Sequence, residues 1–183
     1  MSHRKWRHLL AMPVLAATAA PASATDYLSV ADAQRILLPQ AQTFLPFPVT
    51  LSPEQLGQIK RMAGVPQRTS QPRIWRGMSG GSAVGWVLVD EVIGKHEFIT
   101  YATAISPDGH VLGVEILSYR ESHGGEVRNA KWRALFRGKS VSDKFKLNQD
   151  IPNISGATLS CRNITDGVKR LLAIHAIALA RAG

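Results

Sequence analysis

The chain has 183 residues, a net charge of +9, and an apolar fraction of 45% against a charged fraction of 19%. This length favours one domain and the composition is that of an ordinary globular protein, which argues against disorder. The basic residues form no dense run interleaved with aromatic residues, which argues against a nucleic-acid partner. The single cysteine, Cys161, excludes an intramolecular disulfide, a Cys-x-x-Cys centre and a c-type haem.

The first 24 residues have the three-part pattern of a secretory signal peptide. Three cations before position 8 precede an apolar stretch at residues 9–20, and Ala22-Ser23-Ala24 supplies the small residues that a signal peptidase accepts. The stretch is short for a bilayer span, which takes about 20 residues. Cleavage after Ala24 removes those three cations and lowers the net charge from +9 to +6. An uncleaved N-terminal anchor is the alternative.

Residues 25–71 are predicted to form a small helical extension. Helical spacing begins after Ser29, a capping residue, and ends before Pro39. Residues 44–53 are rich in Pro and Phe and are interpreted as a connector. A capping box at residues 52–55 opens a second helix, which ends at Gly64.

Residues 72–183 are predicted to form the main domain, which starts with strands. Residues 73–76 are a candidate edge strand. Val- and Trp-rich residues 83–93, then 97–105 and 110–119, predict an antiparallel meander with a tight turn at Asp108-Gly109.

Helical character returns at the C-terminal end of the chain. Residues 129–136 predict a short helix, 138–149 a loop, and 162–180 the longest helix, apolar enough to be buried. The order predicts an α+β fold, with an antiparallel sheet packed against the C-terminal helix and a small helical N-terminal extension.

Two short patterns are interpreted as having no function. Residues 77–81 satisfy Gly-x-Ser-x-Gly, but the hydrolase motif needs a strand before it and a helix after it, and here a strand follows. Asn153 and Asn163 begin formal glycosylation sequons, interpreted as chance. The histidines after the leader contain no pair at a metal-ligand spacing, so no metal site is predicted.

The residues Ser155-Gly156-Ala157-Thr158-Leu159-Ser160 carry the clearest chemical signal. Gly156 and Ala157 let a ligand approach the backbone, and the hydroxyls of the motif are donors for phosphate oxygens. A helix predicted to begin near Cys161 turns its free N–H groups toward this loop. The alternative is that these residues only cap that helix.

These residues resemble the flavinylation motif of the FMN-binding domain family. Members include the C subunit of the sodium-pumping NADH:quinone reductase, the Rnf G subunit and small secreted FMN-binding proteins. The predicted hairpin with its Asp-Gly turn, a Glu followed by a Gly-containing turn, and an aromatic-bearing helix are also similar to the family pattern, over about residues 83–175. The resemblance implies that a flavin transferase takes FMN from FAD and joins its phosphate to the Thr158 hydroxyl as a phosphoester.

The resemblance also implies which residues contact the cofactor. Around the phosphate they are Ser155, Gly156, Ala157, Thr158, Leu159 and Ser160; near the ring they are Glu121, Ser122, His123, Gly124, Gly125 and Glu126. Trp132, on the aromatic-bearing helix, is a further cofactor-binding candidate. The sequence departs from the family at one position. The family places an Asp three residues before the motif Ser, where this chain has Pro152; Asp150 is the candidate to serve from a shifted position.

The expected function is an exported, periplasmic electron carrier with covalent FMN. It requires a flavin transferase for maturation and a membrane or periplasmic redox partner protein. Two alternatives stay open: a flavin-dependent reductase with its own substrate, and a non-redox exported binding module.

Overall fold

The computed structural model of the protein describes residues 25–120 and 125–181. The predicted signal peptide, residues 1–24, lies outside them. The strands are β1 (Thr25–Asp26), β2 (Thr43–Pro46), β3 (Arg73–Ser79), β4 (Ser82–Ile93), β5 (Phe98–Ile105) and β6 (Val111–Tyr119). The helices are α1 (Val30–Leu37), α2 (Pro53–Ala63), α3 (Ala130–Ala134) and α4 (Thr158–Ile174), with a 3-10 turn (Gly125–Arg128) and a π-helical turn (His175–Leu179).

The six strands form one antiparallel sheet in the order β1-β6-β5-β4-β3-β2. The predicted meander is confirmed as β4, β5 and β6, with boundaries within one residue of those expected. The Gly-x-Ser-x-Gly pattern lies at the β3–β4 hairpin, where no helix follows. Sheet and helices together confirm the predicted α+β class.

The N-terminal helices begin where their capping residues indicate. The Ser29 side chain accepts a hydrogen bond from the Asp32 N–H, and Ser52 and Gln55 form the predicted capping box. The segment also contains β2, which pairs with β3, so β3 is an interior strand and not the predicted edge. A four-residue edge strand that ends in proline lacks the alternating pattern by which strands are recognised.

The sheet is apolar on both faces. On β4, Trp86 and Leu88 belong to the core beneath α2 and α4, while Val87 and Val89 pack with α1 on the opposite face. This follows from the two-residue period of a strand, which sends successive side chains to opposite faces. A strand buried on both sides is a continuous apolar run, as the sequence of β4 shows.

The helix α4 lies against the face that carries Trp86, as expected for the C-terminal helix. Most of its residues after Leu159 are buried, among them Cys161, Ile164 and Val168. No helix in the described ranges is long and apolar enough to cross a membrane.

A buried polar cluster ties α4 to the sheet. Arg170, only 5% exposed, donates to Asp90 Oδ2 on β4 from Nη2 at 2.5 Å and from Nε at 3.1 Å. The Tyr101 hydroxyl on β5 donates to the same oxygen at 3.3 Å. Burial, and then the neighbouring Asp90 carboxylate, hold the pKa of Tyr101 well above its usual value, so this phenol stays a neutral donor. Removal of one partner would leave an uncompensated buried charge.

Gly167 makes this close approach possible. A Cβ at this position would collide with the Tyr101 hydroxyl and lie 3.0 Å from Val92 Cγ1. Glycine is otherwise unfavourable inside a helix by about 0.5–1 kcal/mol relative to alanine. Its presence here therefore reflects the packing of α4 on Tyr101.

We expect Gly167→Ala to lower the free energy of unfolding by about 1–3 kcal/mol, because the added methyl group overpacks the contact with Tyr101. Chemical denaturation measures the change. The matched control is Gly57→Ala in α2, where the nearest atom to the new Cβ is the end of the Arg61 side chain at 3.5 Å. That control is expected to stabilise the protein slightly, and equal effects of the two substitutions would contradict the packing argument.

Candidate functional site at the N-terminus of α4

The motif residues 155–160 straddle the start of α4. The helix begins at Thr158, three residues before the position near Cys161 expected from the sequence. Ala157 occupies the cap position and provides no side-chain hydrogen bond. The N–H groups of the first turn therefore receive no hydrogen bond from the side chain of the cap residue, a role that Ser or Thr usually has. The alternative that the motif only caps the helix gains no support from a side-chain cap at this position.

The motif side chains divide between solvent and core. Thr158 and Leu159 are exposed, Leu159 by 44%, and so are Ser155 and Gly156. Ala157 is buried. Ser160 is buried as well, and its Oγ lies 3.3 Å from the Tyr119 hydroxyl on β6. Of the three hydroxyls expected to face phosphate, two are on the outside and Ser160 contacts the sheet.

Gly156 shapes the turn that enters the helix. Its φ of +84° lies in the left-handed region, which a residue with a Cβ rarely adopts. Apart from its chain neighbours, no atom of the described residues lies within 4 Å of the position that a Cβ would take. Within the described part of the chain the turn is thus open on its outer side, two residues before the exposed Thr158.

Asn153 contacts the predicted attachment point directly. Its Nδ2 donates a hydrogen bond to Thr158 Oγ1 at 2.9 Å. In the sequence, Asn153 is recognisable only as the start of a formal glycosylation sequon. The contact joins a loop residue to a helix residue five positions later, so no helical or strand period could have revealed it.

Trp132 supports the loop before the motif. Its indole Nε1 donates to the Pro152 carbonyl at 2.9 Å, and its ring packs edge-on against Phe136 at 5.1 Å between centroids. The side chain is buried. The structure therefore places Trp132 under the motif loop, where it holds the backbone just ahead of Asn153.

Asp150 organises the loop between α3 and the motif. Its carboxylate accepts from the backbone N–H of Phe145 at 2.9 Å and of Lys146 at 2.6 Å, and from Lys139 Nζ at 3.2 Å. Burial acts to raise its pKa, but these hydrogen bonds and the Lys139 charge outweigh it and leave the pKa below its usual value. The carboxylate is engaged by its own loop.

The predicted ring-binding segment is described only in part. Glu121, Ser122, His123 and Gly124 lie outside the described residues. Gly125 and the exposed Glu126 form the first half of the 3-10 turn. Burial raises the pKa of the Cys161 thiol, and the nearby Glu126 carboxylate adds to this. The 3-10 turn leads into α3, whose Trp132 contacts the Pro152 carbonyl just before the motif.

The geometry suits the phosphate end of FMN. An uncapped N-terminus of a 17-residue helix offers N–H donors and a positive dipole end, which favour an anion. The open turn at Gly156 leaves room beside the Thr158 hydroxyl. In the described part of the chain, no group of three or more His, Cys, Asp or Glu side chains is arranged to hold a metal ion.

Part of the chain is similar to known proteins. Residues 94–173 match the family model described as the FMN-binding domain. A solved structure, the crystal structure of Shewanella oneidensis NqrC, is similar at 18% sequence identity and a TM-score of 0.49, over 76% of this chain and 80% of that one. No curated protein matches the chain.

The matched segment runs from the β4–β5 turn through most of α4 and contains the whole motif. The match supports an FMN-binding domain in residues 94–173 of this chain.

We expect Asp150→Asn to lower the free energy of unfolding by about 1–3 kcal/mol, because two backbone donors and Lys139 lose a charged acceptor. The folded pKa is depressed, so this contribution is present above about pH 4 and is lost as the pH falls through the folded value. Urea denaturation at several pH values measures both effects. Asp26→Asn, at an exposed aspartate of β1, is the control and is expected to leave the stability unchanged.

We expect Trp132→Phe to loosen the motif loop, because phenylalanine keeps the ring but cannot donate to the Pro152 carbonyl. Faster hydrogen exchange of the amides at residues 153–157 is the predicted signature. Trp86→Phe is a matched control, because it also shrinks a buried ring but removes an indole N–H that has no hydrogen-bond partner. Equal exchange in the two variants at 153–157 would show that the indole bond does not hold the loop.

Proposed function

We propose that this protein is an exported electron carrier that holds FMN through a phosphoester bond to Thr158. The observation that carries the proposal is the exposed Thr158 hydroxyl at the uncapped start of α4, inside the segment that matches the FMN-binding domain. Bound FMN would supply one- or two-electron transfer. The residues of the chain bind it, orient it and adjust its electronics.

The phosphate would be held by groups at the start of α4. Thr158 provides the ester oxygen, and the N–H groups of the first helical turn provide donors. Ser155 is exposed and offers a further hydroxyl. Gly125 and Glu126 are the described residues that we assign to the ring, together with the segment 121–124.

Covalent attachment suits an exported protein. Free FMN is scarce outside the cytoplasm, and a lost cofactor could not easily be replaced there. A hydroxyl that another protein must modify has to be accessible, and Thr158 is exposed. The signal-peptide pattern of residues 1–24 supports export to the periplasm or an equivalent compartment.

The surface near the site supports an acidic redox partner, in the periplasm or at a membrane. Arg128, Lys131 and Arg162 are exposed on the 3-10 turn, α3 and the second turn of α4. Complementary charge speeds the encounter of electron-transfer proteins, which bind each other weakly and briefly. We assign these cations to the rim of the docking surface.

The deciding experiment is intact-mass measurement of protein exported from cells that contain a flavin transferase. We expect a chain that starts at residue 25 and carries one FMN, joined with loss of one water. Thr158→Val removes the hydroxyl at nearly constant volume and is expected to abolish the mass gain. Ser155→Ala, which keeps Thr158, should retain it.

An unmodified mass from folded, transferase-exposed wild-type protein would contradict the covalent attachment of FMN. A chain that retains residues 1–24 would overturn cleavage after Ala24. Rapid turnover of a soluble substrate by the loaded protein alone would favour a reductase over a carrier.

A further inference from the structure

We propose that Asn153 positions the Thr158 hydroxyl for flavin transfer. This inference rests on the proposed function, because it concerns the same oxygen. The carrying observation is the 2.9 Å hydrogen bond from Asn153 Nδ2 to Thr158 Oγ1. Asn153, directly after Pro152, contacts the reacting atom from within the chain itself.

The oxygen of the Asn153 side-chain amide forms no hydrogen bond with the described part of the fold. This atom, Oδ1, is buried. An unpaired buried amide oxygen is unfavourable, and a structural asparagine normally satisfies both ends. Since the described contacts of this amide group lead only to Thr158, its role is tied to that hydroxyl.

The loop holds the amide in place before any partner arrives. The Pro152 carbonyl is fixed by the Trp132 indole at 2.9 Å, and the Asn153 backbone N–H points to Asn148 Oδ1 at 3.4 Å. Proline also restricts the backbone at position 152. A side chain supported in this way orients its target hydroxyl with little further loss of conformational entropy during the reaction.

A side-chain amide can hydrogen-bond Thr158 Oγ1 both before and after the transfer reaction. In transfer from FAD, Thr158 Oγ1 attacks the phosphorus of the FMN half, the bond from that phosphorus to the oxygen bridging to AMP breaks, and AMP leaves with the electron pair. The hydroxyl proton goes to solvent or to a base of the transferase, so that FAD and the hydroxyl give the phosphodiester, AMP and one proton.

Before the attack, Oγ1 carries a proton and two lone pairs; after it, the ester oxygen only accepts hydrogen bonds. With Nδ2 turned to Oγ1, Asn153 can donate in both states. Rotation of the amide by half a turn would let Oδ1 accept the hydroxyl proton instead. Thr158 itself is exposed, as modification by another protein requires.

The test uses full-length mature protein purified without flavin and then treated with a flavin transferase and FAD. The rate of FMN attachment is followed by intact mass. We expect Asn153→Ala to lower kcat about threefold to tenfold, as loss of one neutral hydrogen bond implies, with KM for FAD unchanged. Asn153→Asp, whose carboxylate cannot donate a hydrogen bond to the ester oxygen, should not restore the rate.

The matched control is Asn163→Ala. It removes the same side chain from α4, where Nδ2 donates to the Ile93 carbonyl at 2.5 Å and not to Thr158. Its attachment rate should equal that of the wild type. If Asn153→Ala does not fold, Asn153→Gln decides, because its longer side chain carries the amide away from Oγ1 and should lose the same threefold to tenfold.

The two hypotheses fail differently. No attachment to folded wild-type protein overturns the proposed function. Attachment to the wild type at a rate shared by the folded Asn153 variants leaves that function intact and overturns the role of Asn153. A rate that falls equally in Asn153→Ala and Asn163→Ala would show a general effect of stability and would also overturn it.

Discussion

The packing of α4 against the sheet is the constraint on which the site depends. The helix can bury its apolar face only where Gly167 admits the Tyr101 hydroxyl and where Arg170 meets Asp90. A buried ion pair adds little net stability but tolerates few alternative arrangements. Because these contacts fix the middle of the helix against the sheet, its N-terminus has a defined position. Thr158 lies there on the solvent-exposed side.

The motif contains both buried and solvent-exposed residues. Ala157 and Ser160 face inward, and Ser160 meets Tyr119 on β6, so the same few residues anchor the helix start and display its open end. Thr158 and Leu159 are left outside. Small residues at the turn satisfy both demands, because a larger side chain at Gly156 would strain the left-handed backbone.

The loop before the motif is held by its own side-chain contacts. The Asp150 carboxylate accepts hydrogen bonds from the amides of Phe145 and Lys146 and from Lys139. Pro152 in turn offers its carbonyl to Trp132. Among the described residues, Asn153 contacts the Thr158 hydroxyl, and it does so through its side-chain amide.

Local chemistry in the sequence determined the meander, the two capped N-terminal helices and the motif that contains Thr158, because strand alternation, capping boxes and turn residues act over a few positions. Other features depended on tertiary structure. The edge strand β2 is defined by its pairing with β3, the start of α4 by packing, and the contact of Asn153 with Thr158 by a loop that returns to the helix. Contacts between segments without a shared period leave no regular trace in the sequence, so only the folded chain reveals them.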